Sequence, residues 1–254
     1  MNNSFELWPG ESFDGETPMI HSYSPEIKRG DGAVIIFSGG AYARRAPHEA
    51  EPYALKLNEM GIWAFVVDYR VAPCNAIQPS LDALKAISTV RERSEEYGID
   101  PNKIAVMGSS AGGHLAAMCS TFYCEENLNS MPNAQILCYP VTDIESHRGS
   151  YENLLGDKID AHKSFCPIHR ASKNTPKTFI WHTSSDPSVD VRGTYRYAAR
   201  LSELGVAVEM HIYPVGGHGL GLANGLYGRA TEEYVQRWVQ DLECWLRLIG
   251  WITK

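Results

Sequence analysis

The stretch Lys103-Ile104-Ala105-Val106-Met107-Gly108-Ser109-Ser110-Ala111-Gly112-Gly113-His114-Leu115-Ala116-Ala117-Met118 decides the fold. Its first part, Ile104 to Met107, is apolar and of strand length. Its last part, His114 to Met118, reads as the opening of an apolar helix. Between them Gly108-Ser109-Ser110-Ala111-Gly112 is a G-x-S-x-G pattern at a strand-to-helix junction. Such a turn crowds its own backbone, and flanking glycines remove the side chains that would clash there. The turn lifts the Ser110 hydroxyl above the sheet, toward the positive end of the following helix. The pattern alone arises by chance; the strand before it and the helix after it give it weight. The competing reading is a Gly/Ser loop with no chemistry.

On either side of this junction strands and helices alternate. Residues 33–37 form a continuous apolar run, as a central parallel strand should. Residues 62–67, 133–139, 178–182 and 206–213 read as further strands. Helices are expected over 48–60, ended by Gly61, over 80–97, ended by Gly98, and over 193–204 and 231–248. A short edge strand is expected near 19–23, with the rest of 1–30 mostly loop. This alternation implies α/β class, a mostly parallel central sheet with helices on both faces. Residues 1–254 read as one domain, an ordinary length for a single core. Residues 141–177 are the least regular part and read as a small cap or rim over the site.

Composition excludes several function classes. Lysine and arginine total 23 against 30 acidic residues, a formal charge of −7. That argues against nucleic acid or an anionic membrane as partner. No apolar run approaches the ~20 residues of a membrane span. The N-terminus shows no basic, then apolar, leader pattern, so a cytoplasmic location is expected. The six cysteines form no C-x-x-C pair and read as reduced thiols, with no metal site implied.

An activated serine needs a base, and the base needs an acid that holds its tautomer. Of nine histidines, His218 is the choice. It lies in Pro214-Val215-Gly216-Gly217-His218-Gly219-Leu220-Gly221, just past the last long strand. His182 and His211 fall inside strands and read as packing or hydrogen-bonding residues. His114 belongs to the helix after Ser110, and its ring should point away. The acid should follow the strand ending near Thr183. Asp186 is nearest and is preferred; Asp190 is the runner-up, and either could instead cap the next helix. The backbone N–H groups of Gly40, Ala41 and Ala111 are candidate oxyanion donors. Tyr42 is a candidate wall of the substrate pocket, or a packing tyrosine.

Phe37-Ser-Gly-Gly-Ala-Tyr42, His48-Glu-Ala-Glu51, Asp68-Tyr-Arg-Val-Ala-Pro73, the Ser110 motif, Tyr139-Pro140, Glu152-Asn-Leu-Leu-Gly156, Trp181-His-Thr183 and His218-Gly-Leu-Gly221 together resemble the acetyl xylan esterase-like α/β-hydrolases. The resemblance runs from about Ala33 to the final helix. It implies the α/β-hydrolase fold and a serine esterase that removes small acyl groups, often acetyl, from hydroxyls of plant-type oligosaccharides. By the same match Ser110 is nucleophile, Asp186 acid and His218 base, in the chain order of that fold. Two departures stand out. Ala41 replaces a third glycine of the oxyanion loop, and Asp190 stands where the family often has proline. The resemblance implies no metal or organic cofactor and a small-molecule or oligosaccharide ester as substrate. Two other readings are a small peptidase of the same fold and a non-catalytic ligand-binding protein on a hydrolase scaffold. Oligomeric state is not legible.

Overall fold

A computed structural model of the chain describes residues 3–11, 13, 15–121 and 128–253. Eight strands form one sheet: β1 (Asn3–Glu6), β2 (Met19–Tyr23), β3 (Ala33–Phe37), β4 (Trp63–Asp68), β5 (Ile104–Ser109), β6 (Ala134–Cys138), β7 (Lys177–Thr183) and β8 (Val208–Tyr213). Their order across the sheet is β1-β2-β4-β3-β5-β6-β7-β8. From β4 to β8 every neighbouring pair is parallel, whereas β1 and β2 run antiparallel at one edge. This is the mostly parallel α/β architecture expected from the alternation of elements.

The helices are α1 (Glu51–Glu59), α2 (Gln78–Glu92), α3 (Ser94–Tyr97), α4 (Ala111–Cys119), α5 (Arg148–Leu155), α6 (Pro167–Arg170), α7 (Val191–Glu203) and α8 (Trp238–Leu248). Alternate residues of each strand face opposite ways, and β3 divides accordingly. Ile35 and Phe37 join the core under α2, α4 and α7, with Ile87, Leu115 and Leu201. Val34 and Ile36 join the core under α1 and α8, with Leu57, Trp238 and Trp245. Helices therefore cover both faces, which is why β3 and β5 read as unbroken apolar runs and are buried throughout.

Several boundaries differ from the sequence expectation. The helix expected over 80–97 breaks at Arg93, whose φ/ψ of −96°/16° leave the helical region. There its guanidinium lies over the rings of Phe5 and Tyr97. The last helix begins at Trp238, because residues before it spend hydrogen bonds on a loop: Asn224 bridges Thr231, and Glu232 N–H donates to the Ala223 carbonyl. The helix expected from residue 48 starts at Glu51. Ahead of it, Pro47–Glu49 makes a 3₁₀ turn that sends the Glu49 side chain inward. Asn3-Ser4-Phe5-Glu6 has no apolar run and so carries no strand signal in the sequence, yet β1 pairs with β2.

Residues 141–177 fold into α5, a ten-residue 3₁₀ stretch (Gly156–Phe165) and α6. Asn153 of α5 donates to the Ala41 carbonyl at 2.8 Å, which ties this segment to the loop after β3. The five described cysteines carry no disulfide; Cys124 lies outside the described residues. Among the described residues no helix is long and apolar enough to cross a membrane.

Candidate active site

The order of strands reverses at β3, which is flanked by β4 on one side and β5 on the other. A crevice opens at the carboxyl ends of strands at such a switch point. Here the loop after β3 carries Gly40 and Ala41, and the turn after β5 carries Ser110.

Ser110 has φ 52° and ψ −119°, a strained conformation for a residue with a side chain. The surroundings enforce it. Ser110 N–H donates to the Cys138 carbonyl at 3.0 Å, and its own carbonyl accepts from Val141 and His114 amides. The turn tolerates no bulk: a Cβ on Gly112 would lie 2.0 Å from the Phe37 carbonyl oxygen, and one on Gly108 2.1 Å from the Gly112 carbonyl oxygen. The G-x-S-x-G glycines thus serve close backbone approach.

Three distant side chains meet at this crevice. Ser110 Oγ lies 3.0 Å from His218 Nε2, and His218 Nδ1 lies 2.7 Å from Asp186 Oδ2. Asp186 has a fully buried side chain, and four donors converge on it. His218 and His182 ring N–H groups reach Oδ2, at 2.7 and 3.2 Å. Ser188 and Val189 amides reach Oδ1, at 2.8 and 2.9 Å. Burial pushes the Asp186 carboxyl up, but these hydrogen bonds outweigh it and hold the group well below the ordinary carboxylate range. With Asp186 ionised, His218 Nδ1 carries the proton and Nε2 accepts from the serine hydroxyl. That leaves the imidazole oriented to take the Ser110 proton.

Asp190 is elsewhere. It caps α7, its side chain accepting from the Arg192 amide, and pairs with the Arg192 guanidinium. Those contacts hold its carboxyl down to about 2. It bonds neither His218 nor Ser110.

Gly40, Ala41 and Tyr42 all have positive φ, at 127°, 55° and 60°. The amides of Gly40, Ala41 and Ala111 donate to no partner among the described residues. They are free to meet a negative oxygen near Ser110. Tyr42 does not face the cavity. It is 1% exposed, and its hydroxyl donates to His114 Nδ1 at 2.6 Å. The positive φ at Tyr42 swings its ring under the loop and into the core, so the packing alternative describes it and the pocket-wall expectation does not hold. His114 is indeed turned away from Ser110; its Nε2–H donates to the Phe165 carbonyl at 2.7 Å.

Ser110 and His218 line a cavity of about 510 Å³, together with Arg44, His147, Ser188 and Arg229. Single-sequence reading named none of those four, since none belongs to a chemical motif. His147 caps α5: its Nδ1 accepts from the Ser150 amide at 3.1 Å, so Nε2 carries the proton. Burial, and then the charge of nearby His218, push its pKa down. His147 is thus a neutral donor in the cavity wall. Arg229 donates to the carbonyls of Gly219, at 2.7 Å, and His218, at 2.5 Å, which braces the loop carrying His218. A larger cavity of about 1100 Å³ lies beyond the Ala43-to-Pro47 strip, lined by Phe13, Arg45, Asp68 and Arg70 among others. It contains neither Ser110 nor His218, so the chemistry belongs to the smaller one. Among the described residues no group of three or more His, Cys, Asp or Glu side chains is placed to hold a metal ion.

Comparison with known proteins agrees with the fold. A family model described as alpha/beta hydrolase fold matches residues 34–222. An acetylxylan esterase of Xylanibacter ruminicola is 31% identical over 249 residues, covering 94% of this chain and 49% of that protein. An endo-1,4-beta-xylanase B of Butyrivibrio fibrisolvens is 29% identical over 232 residues, covering 84% of this chain and 36% of that protein. The chain thus spans half or less of the length of these two curated relatives. Among solved structures, an acetyl ester-xyloside bifunctional hydrolase from Caldicellulosiruptor lactoaceticus is 38% identical, with a TM-score of 0.90 and coverage of 99% and 97% of the two chains.

Proposed function

The chain belongs to the α/β-hydrolase fold family, and on that premise we propose that it is a serine carboxylesterase. It removes short acyl groups, acetyl foremost, from hydroxyls of sugars or oligosaccharides such as acetylated xylan fragments. The observation that carries this reading is the continuous relay from Ser110 Oγ through His218 to the ionised, fully buried Asp186. Similarity to an acetylxylan esterase supports the acetyl–sugar part.

In the proposed reaction His218 Nε2 takes the Ser110 proton as Oγ attacks the acyl carbonyl carbon. Asp186 stabilises the resulting imidazolium and keeps its Nδ1–H in place. The negative oxygen meets the amides of Gly40, Ala41 and Ala111; each such donor is worth about 3–4 kcal/mol of barrier. The C–O bond to the alcohol then breaks, and the alcohol leaves with the proton from Nε2. Water, activated by the same nitrogen, hydrolyses the acyl-serine. Every proton passes between Ser110, His218, the substrate and water, and the residues supply nucleophile, base and electrostatic stabilisation.

Ser110→Ala is the direct test. It is expected to abolish cleavage of p-nitrophenyl acetate and labelling by a fluorophosphonate probe, with an unchanged circular dichroism spectrum. Full activity in this variant refutes the nucleophile assignment. A panel of acetylated xylo-oligosaccharides, aryl esters of increasing acyl length and aminoacyl-β-naphthylamides tests the substrate class. Preference for the naphthylamides would make the protein a peptidase.

A further inference from the structure

Glu49 is a buried ionisable group to which the relay gives no part. Glu49 is 2% exposed, yet it borders the cavity that holds Ser110 and His218. Among the described residues no lysine or arginine pairs with it, and His48 is its basic neighbour. A carboxylate in such a place is costly unless hydrogen bonds satisfy it. Here they do, and their origins are informative.

Glu49 Oε2 accepts the Gly39 backbone N–H at 2.7 Å. Gly39 lies in the loop whose next two residues, Gly40 and Ala41, line the cavity with Ser110. Glu49 Oε1 accepts the Tyr139 hydroxyl at 2.7 Å. The same Tyr139 oxygen accepts the Gly221 backbone N–H at 3.0 Å, from the loop that carries His218. A second strand of contacts runs alongside. His48 Nε2 lies 3.0 Å from the Gly219 carbonyl oxygen and 3.3 Å from Glu49 Oε1. The Tyr139 ring packs edge-on against the His218 ring, with centroids 5.3 Å apart. One carboxylate therefore ties the donor loop after β3 to the residues that follow His218 in the loop after β8.

We infer that Glu49 is a positioning residue for the ester hydrolysis proposed above, holding the oxyanion loop and the base loop in register through Gly39 and Tyr139. Two consequences are geometric. First, the Gly39 amide is spent on Glu49, so only the following amides, Gly40 and Ala41, can serve the oxyanion from that loop. Second, the peptide before Gly40 is fixed in orientation by a charge-assisted bond from behind. Preorganised donors act at the moment of reaction only if something holds them. Ionisation fits the role: burial raises the carboxyl's pKa, but hydrogen bonds from His48, Tyr139 and Gly39 more than reverse this and leave it lowered. An amide could not replace it. Two donors, the Gly39 N–H and the Tyr139 O–H, need two acceptor oxygens, and glutamine offers one.

The inference rests on the Ser110 reading, so the test separates the two. Wild type, Glu49→Gln, Glu49→Ala and Tyr139→Phe are titrated with a fluorophosphonate to count competent serines. kcat and KM for p-nitrophenyl acetate are then measured per titrated site, alongside thermal unfolding. Glu49→Gln is expected to lower kcat per site about tenfold or more, with KM changed less than about threefold. Tyr139→Phe keeps the Gly39 bond and loses the Gly221 link, so it should show a smaller fall of the same kind. A purely structural Glu49 would lower the unfolding temperature and the number of titrated sites while leaving kcat per site unchanged. That outcome, kcat per site within about twofold of wild type in Glu49→Gln, overturns the inference. If Glu49→Ala fails to fold, the two near-isosteric variants carry the same test. A wild-type protein that the probe does not label refutes the nucleophile assignment, and this inference with it.

Discussion

Asp186 and Asp190 lie four positions apart in one loop, and their surroundings set them to different tasks. Asp186 gathers donors from two histidine rings and two backbone amides inside the protein. Asp190 caps a helix and meets an exposed arginine. Asp186→Asn is expected to lower kcat by about 10³–10⁴, since the amide no longer holds the His218 tautomer. Asp190→Ala should cost only about 1 kcal/mol of stability, the usual value of a lost helix cap, and leave kcat alone. Kinetics on p-nitrophenyl acetate and urea unfolding read both; the reverse pattern would exchange the two assignments. Ser110, His218 and Asp186 were legible because each stands in or beside a short pattern at a strand end. Glu49 and His182 were not. Their partners lie in loops remote in sequence, or depend on which way a strand residue faces, and neither leaves a local signature. Tyr42 was misleading for a related reason: its neighbours in sequence border the cavity, but a positive φ sends its ring the other way.

At the level of elements, the loop after β4 is anchored by a buried ion pair. Asp82 of α2 is fully buried and accepts from the Arg70 amide at 2.8 Å, from Arg70 Nε at 2.9 Å and from Arg70 Nη2 at 2.6 Å. Trp8 Nε1 adds a fourth bond, at 2.8 Å, from the N-terminal segment. One carboxylate thus joins α2, the end of β4 and the start of the chain. Asp82→Ala is expected to destabilise the protein by about 3–5 kcal/mol, because it strands the Arg70 charge and the Trp8 donor. Urea unfolding measures it, and a loss below about 1 kcal/mol would mean that the pair contributes little. The arginine motif was visible in the sequence; its partner was not, since Asp82 looks like any aspartate near a helix start. The inner strands β3, β4 and β5 were legible as unbroken apolar runs. Helix ends were less so. Arg93 breaks one helix by packing on Phe5, and the start of α8 is displaced by loop hydrogen bonds, both long-range events.

For the molecule as a whole, part of the acid sensitivity follows from one buried ring. Burial pushes the pKa of His114 down to about 4, against a backbone hydrogen bond to Phe165 that raises it. The folded protein keeps this ring neutral, while the unfolded chain takes up a proton below its ordinary value near 6.5. Stability from this group is therefore whole above pH 6.5, falls as pH drops toward 4, and changes no further below that. Between pH 7.5 and 4.5 the loss should be about 2–3 kcal/mol. His114→Gln should remove that part of the decline, whatever its own cost at neutral pH. Urea unfolding at both pH values tests this, and equal declines in the two proteins would sink it. The chain's alternation of strand and helix, legible from composition and period alone, also has a consequence for how such a protein diversifies. Ser110, Asp186, His218 and the Gly40–Ala41 loop each follow a different parallel strand, and residues 141–177 enter the chain between Ser110 and Asp186. Insertions or deletions in that segment can reshape the approach to Ser110 while the strand ladders and the hydrogen-bonded relay beneath stay unaltered.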